Sequence, residues 1–301
     1  MKFIDICSGL GGFRIALESL GNKCVGFSEI DKFAIKAYKE NFDCRDELEI
    51  GDITKFKGDL PEHDIICAGF PCQPFSRAGQ QKGLEDERGG IFHSILDLAK
   101  KNKTRILLLE NVKGLLSNNK GETFKKIVKD LEEAGYKVSF KVICGLNVSL
   151  QKRERVFIVA DRKNKFDFDL LKFTKAHSKL DDILEGNPDK SLRISLKSYR
   201  GLIRHKERQG AKNNGFGFSI FKPENSSVRT ITRRYYKDGS ECLLNDRQGH
   251  LPRKLSPNEM LKLFTFPKNY KLNVSKSRSY MLLGNSVIVE IVKEICSKIR
   301  C

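Results

Sequence analysis

A chain of 301 residues, 39% hydrophobic and 9% aromatic, has the material for one large or two ordinary domains with a sizeable core. Lys and Arg outnumber Asp and Glu by 56 to 38, and the net charge of +18 favours a polyanionic partner such as nucleic acid. No apolar run approaches the roughly 20 residues of a membrane span, so no membrane partner is expected. The first residues carry Asp5 inside a short apolar run and lack the pattern of a signal peptide. Nine irregularly spaced cysteines argue against a secreted disulfide framework, so a reducing, cytoplasmic setting is expected; the chain is also expected to be a monomer. No Cys-x-x-Cys pair occurs and the five histidines never sit at ligand spacing, so no metal is expected.

In chain order, residues 3–7 (FIDIC) predict a buried strand. A glycine-rich turn follows, then Phe13, Ala16, Leu17 and Leu20 at helix-face spacing, with Gly21 as the stop. Apolar runs at 24–27, 65–68 and 106–109 predict further strands. Phe92, Ile95, Leu96 and Ala99 predict one intervening helix, and Phe124, Ile127, Val128 and Leu131 another. This alternation predicts an α/β, Rossmann-like doubly wound sheet covered on both faces. Runs at 138–143 and 156–160, with no helix between them, predict a closing hairpin. After Asp161 the alternation fades. Residues 197–254 hold 14 Lys or Arg against 5 Asp or Glu, which places half the excess charge in a fifth of the chain. Ile288, Ile291, Val292, Ile295 and Ile299 then predict a last helix that returns to the first domain. The expected division is 1–165 plus 280–301, and 166–279.

Four stretches carry chemistry. Cys7-Ser8-Gly9-Leu10-Gly11-Gly12, between strand and helix, is a turn whose glycines let a ligand approach the backbone; alone, it serves plain helix-strand packing equally well. Glu29, twenty residues beyond Gly9 at the end of the next strand, is placed to accept both hydrogen bonds of a ribose diol, and the two together predict a nucleoside cofactor. Cys72, in Gly69-Phe70-Pro71-Cys72-Gln73-Pro74, sits on a rigid turn at the ligand-binding edge of the sheet. It is a candidate nucleophile, with Arg77, Arg88, Arg153 and Arg155 as candidates to favour its thiolate. Glu110 ends a strand on the same edge, where desolvation would make it a proton donor. Strand alternation through Gln151-Lys152-Arg153-Glu154-Arg155 predicts Gln151, Arg153 and Arg155 on one face.

In this order the motifs closely resemble the cytosine-C5 DNA methyltransferase family of bacterial restriction-modification type. The resemblance rests on Asp5 to Phe13, Glu29, Gly51-Asp52-Ile53, Pro71-Cys72-Gln73, Glu110-Asn111-Val112, Gln151 to Arg155, Arg253 to Pro267 and Gly284-Asn285-Ser286-Val287. It implies that the Cys72 thiolate attacks C6 of a flipped-out cytosine while protonated Glu110 hydrogen-bonds N3, and that Arg153 and Arg155 hold the O2 side. C5 then takes the methyl group of S-adenosylmethionine, and loss of the C5 proton releases Cys72. The cofactor residues implied are Cys7, Gly9, Leu10, Gly12, Glu29, Ile30, Asp52, Ile53, Gly69, Pro71, Asn285 and Ser286. Gln73, Arg77, Arg88 and Gln151 are implied DNA contacts, and the loop from Gln73 to Ile91 a lid.

The stretch from about Phe166 to Leu251 matches no fixed motif. In this family it is where the target-recognition domain lies, with Arg229, Thr230, Arg233, Arg234 and Tyr235 as expected DNA contacts. Cys7 and Ile30 replace aromatics common in the family, and Ile288 replaces a common proline. Three alternatives stay open on sequence. One is a tRNA-acting branch, although the Cys-Phe-Thr stretch usual there is absent; the others are a DNA-binding protein without catalysis and a nicotinamide dehydrogenase.

Overall fold

The apolar runs become strands and the amphipathic stretches between them become helices. The computed structural model describes residues 1–71, 90–211, 217–246 and 250–299. In chain order these include β1 (Lys2–Ile6), α1 (Gly12–Glu18), β2 (Lys23–Ser28), α2 (Lys32–Asn41), β3 (Leu48–Glu49), β4 (Ile65–Gly69), α3 (Gly90–Lys101), β5 (Ile106–Val112), α4 (Glu122–Glu133), β6 (Lys137–Cys144), β7 (Gln151–Lys152) and β8 (Glu154–Asp161). There follow α5 (Leu196–Gly210), β9 (Ile220–Phe221), β10 (Val228–Arg229), α6 (Tyr235–Asp238), β11 (Leu243–Leu244), β12 (Arg253–Lys254), α7 (Pro257–Leu263), α8 (Lys276–Asn285) and α9 (Val289–Ser297).

The chain forms two compact units, one of residues 1–144, 154–173 and 289–301, the other of 145–153 and 174–288. The first is built on a seven-stranded sheet of order β3-β2-β1-β4-β5-β8-β6. Its first five strands in that order are parallel neighbours. β8 is antiparallel to both β5 and β6, as the hairpin reading of 138–143 and 156–160 requires. Because β2 and β3 extend the sheet on one side of β1 while β4 and β5 extend it on the other, the strand order reverses between β1 and β4. In open α/β sheets the crevice at such a reversal, beyond the strand ends, is where ligands bind.

α3 and α4 bury the apolar stripes read from the sequence, with Ile95, Ala99, Ile127 and Leu131 at or near zero exposure beneath the sheet residues Ile4, Ile66, Leu107 and Ile158. α1 ends earlier than its apolar spacing suggests: Leu20 lies beyond it and is exposed. Its buried face instead carries Arg14, which makes a two-pronged ion pair with Glu47 (2.7 and 2.8 Å), bonds Glu18 at 2.8 Å and lies over the Phe42 ring at 4.4 Å. Gly11, with φ +72°, admits that packing, because a Cβ there would meet the Phe42 ring at 2.4 Å. α9 packs against α1, so the last helix does join the first unit.

The second unit has a three-stranded sheet β12-β11-β9 and a two-stranded pairing of β10 with β7. α7 begins at the reciprocal cap that Ser256-Pro-Asn-Glu259 spells out, with Pro257 at its first turn. The capping Glu259 is fully buried and also takes both arms of buried Arg253 at 2.8 Å each, while Arg253 Nε donates to Asp246 at 2.6 Å. Removing one partner of such a pair strands a buried charge and costs about 3–5 kcal/mol.

Candidate active site

The reversal between β1 and β4 brings the glycine turn to the crevice. Cys7 and Gly9 leave β1 with φ of +54° and +53°, a left-handed path that Ser8 N–H, bonded to the Ser28 carbonyl at 3.0 Å, anchors to the end of β2. Glu29, just past β2, accepts from Gly9 N–H at 2.9 Å through Oε2 and from the N–H groups of Ile30 and Asp31 through Oε1. The carboxylate is thereby fixed beside the turn by three main-chain donors, with lone-pair capacity left over. Ile30 is 74% exposed, an apolar platform at the strand end. The Ser8 hydroxyl is buried and has no hydrogen-bond partner among the described residues, and a Cβ on Gly9 would meet only the Cys7 carbonyl. Asp52 caps the next turn, accepting from Thr54 N–H and Oγ1, and those bonds hold its carboxyl below the ordinary value. Leu10 and Ile53 are buried.

Beneath this turn lies a group the sequence reading left out. Asp5 is wholly buried in β1, accepting from the Tyr38 hydroxyl at 3.3 Å and the Cys67 thiol at 3.7 Å. Burial raises its carboxyl to about 8, against the smaller opposing pull of Arg14. Between about pH 4 and 8 the folded protein therefore holds a proton that the unfolded chain releases, and stability falls as pH rises through that window. Asp5→Asn keeps an acceptor for Tyr38 and is expected to flatten that decline. Melting curves from pH 5 to 8.5 test it; an equal decline in the variant would remove Asp5 as its source. Desolvation, reinforced by Glu29, likewise keeps the Cys7 thiol well above its ordinary range, hence neutral.

On the other side of the reversal, β4 ends at Gly69, in register with Glu110 on β5. Gly69 lies against that carboxylate: a Cβ there would stand 3.6 Å from Glu110 Oε2, ordinary van der Waals contact. Glu110 is buried and pairs with Arg155 of β8, Nε to Oε1 at 3.0 Å. Asn111 Nδ2 donates to the Phe70 carbonyl at 3.2 Å, fixing the chain that runs to exposed Pro71. Cys72, Gln73, Arg77 and Arg88, with most of the expected lid, lie outside the described residues.

The expected single face of Gln151, Arg153 and Arg155 does not form, because the chain turns there. Arg153 N–H donates to the Gln151 carbonyl at 2.8 Å, which separates β7 from β8. Arg155 faces Glu110 in the first unit, whereas Gln151 and Arg153 are buried in the second. Gln151 Oε1 accepts from Ile231 N–H at 2.9 Å, which makes it an internal brace rather than a DNA contact. Arg153 donates to the carbonyls of Ile231 (3.0 Å), Gly284 (3.2 Å) and Ser286 (2.8 Å) and lies 5.3 Å from the Phe264 ring centroid. It ties the 231 segment to the Gly284-Asn285-Ser286 turn. Gly284 itself is pressed onto the Thr232 main chain, 2.4 Å from where its Cβ would be. Asn285 is exposed at the end of α8, and Ser286 is half-buried.

Of the expected recognition residues, Arg229, Arg233 and Arg234 are exposed in the second unit, and Thr230 donates to the Lys152 carbonyl. Tyr235 is a correction. It has no exposed surface, its hydroxyl donates to the Cys242 carbonyl at 2.7 Å and accepts from Leu255 N–H at 2.8 Å, and its ring packs edge-on against Tyr280. It is core.

The sequence profile of the C-5 cytosine-specific DNA methylases matches residues 1–301. The chain belongs to that family. Among its relatives, the type II methyltransferase M.DsaV of Dactylococcopsis salina is 42% identical over 303 residues, 99% of this chain and 85% of that protein. M.NlaX of Neisseria lactamica is 39% identical over 99% of this chain and 96% of its own length. The S. pombe Dnmt2 methyltransferase structure shares the fold, with a TM-score of 0.78 at 24% identity over 99% of this chain and 97% of that one. The protein is accordingly a DNA cytosine-5 methyltransferase, in a family that is generally S-adenosylmethionine-dependent, and the dehydrogenase and non-catalytic readings fall away. Among the described residues no helix is long and apolar enough to cross a membrane, and no cluster of three or more His, Cys, Asp or Glu side chains could hold a metal.

Proposed function

We propose that this chain methylates C5 of a cytosine within a specific duplex site, using Cys72, Glu110 and Arg155, as the modification half of a type II system. The observation that carries the reading is the buried Glu110–Arg155 pair at the end of β5, beside the strand that leads into Pro71-Cys72. A guanidinium and a carboxyl side by side match the O2 and N3 edge of cytosine. Arg155 donates to O2, and Glu110, protonated as the base enters, donates to N3 and so draws off the charge that attack at C6 pushes into the ring. Arg153 acts at a distance, by holding the 231 segment and the 284–286 turn in place.

The turn at Cys7–Gly12 fits an adenosine-bearing group. It offers an unpartnered Ser8 hydroxyl, an open cradle over Gly9, the fixed Glu29 carboxylate for a ribose diol and the Ile30 platform for a base. S-adenosylmethionine, when bound there, supplies a methyl group on a sulfonium. The relatives' names as type II methyltransferases favour DNA over tRNA as substrate.

Methylation of a fragmented genomic library followed by bisulfite sequencing tests the whole reading. It is expected to show 5-methylcytosine at one short sequence, and its absence would overturn the assignment. Glu29→Ala tests the cofactor turn. Loss of a charge-assisted partner worth roughly 1.5–3 kcal/mol should weaken S-adenosylmethionine binding by one to two orders of magnitude in calorimetry. An unchanged dissociation constant would take Glu29 out of the site.

A further inference from the structure

The second unit contains a groove of about 780 Å³ between α5 and the β7–β10 pair, which the catalytic reading leaves unused. Among the described residues three cations line it, Lys152, Lys206 and Arg229, together with Phe218, Phe221 and Ser227, and no carboxylate does. Lys152 and Arg229 are in register on neighbouring strands. Like charges so placed repel, and an anion between them would relieve that repulsion. Lys206 completes the ring from the helix, its ammonium 5.4 Å from the Phe218 ring centroid. Arg229 Nη1 donates to the Gly217 carbonyl at 3.3 Å, which aims the guanidinium along the groove wall.

We infer that this groove is a backbone clamp, holding phosphates of the duplex through Lys152, Lys206 and Arg229 rather than reading bases. It rests on the proposed function, since the polyanion it takes is that substrate. Two of its three cations are lysines, point charges that neutralise a phosphate but lack the planar fork that reads a guanine edge. Arg229, one of the residues expected to contact DNA, is thereby assigned to positioning, and exposed Arg233 and Arg234 are left as candidates for sequence readout.

The opposite side of α5 provides the control. Lys197, Arg200, Arg204 and Arg208 recur at helical spacing on its solvent face, all exposed and, among the described residues, in no ion pair. Binding of the full chain to 20-base-pair duplexes of several sequences is measured from 50 to 200 mM NaCl. Lys152→Gln with Lys206→Gln is expected to lower the slope of log affinity against log salt by about 2, equally on every duplex. Arg200→Gln with Arg204→Gln, the same charge removed from the far face, is expected to leave the slope at the parent value.

An unchanged slope in the groove variant, an equal fall in both variants, or a loss confined to one sequence would each overturn the clamp. Lys206→Gln alone, at an exposed position, should lower the slope by about 1 if the double variant fails to fold. A parent that neither binds duplex nor methylates it would instead count against the proposed function.

Discussion

Cys72→Ser is expected to abolish methyl transfer while leaving S-adenosylmethionine binding at the parent level. A serine hydroxyl has nothing like the thiolate's nucleophilicity near neutral pH, and C6 of cytosine is unreactive until Glu110 polarises the ring. The cofactor turn at Cys7–Gly12 follows β1 and its partner Glu29 follows β2, and exchanging sulfur for oxygen at position 72 alters neither, so binding there should be kept. A duplex carrying 5-fluorocytosine at the target position separates attack from everything else. Addition at C6 and methylation at C5 proceed, but with fluorine in place of the C5 proton elimination cannot follow, and the parent protein should remain attached in a denaturing gel. The variant should give no adduct. An adduct in the variant would sink the assignment of Cys72, and a loss of cofactor binding would mean that the substitution disturbed more than the nucleophile.

The first unit was largely legible because its signals are local. Apolar runs of four to six residues separated by amphipathic stretches admit few arrangements other than a parallel sheet, and Glu29 and Glu110 stand at or near strand ends where such a sheet binds ligands. What the sequence hid depends on partners far along the chain. Asp5 looks like an interruption in an apolar strand; its neutrality comes from burial, in a site closed by residues far along the chain such as Tyr38 and Cys67, 33 and 62 residues away. Extrapolating strand alternation through Gln151 to Arg155 failed because a single main-chain bond, from Arg153 N–H to the Gln151 carbonyl, reorients the chain between two short strands. Tyr235 sits in a run of exposed basic residues, and only its two buried hydrogen bonds mark it as core. α5 has one buried apolar side chain, Leu202, too little for a periodic pattern to announce it. The cap at Ser256–Glu259 and its buried counter-charge Arg253 both went unread, although they lie in the stretch Arg253 to Pro267 that carries the resemblance.

These long-range partners decide how recognition can be transplanted. Replacing residues 197–254 with the corresponding segment of M.NlaX should redirect methylation to that relative's site, because the first unit is committed to cofactor and chemistry while the basic segment is not. The structure adds a condition. Arg253 pairs with Glu259 outside the graft, Asp246 bonds Arg193, and Tyr235 packs on Tyr280. A graft that retains these three host residues should fold with a melting temperature near that of the parent. One that replaces Arg253 with an uncharged residue leaves Glu259 buried without its counter-charge, and should lose about 3–5 kcal/mol of stability whatever its specificity. Bisulfite sequencing of a library methylated by the first graft reads the outcome directly. Methylation at the relative's sequence places recognition in 197–254. A folded graft that still methylates the parental sequence places recognition elsewhere in the chain, and with it the roles given to Arg233 and Arg234.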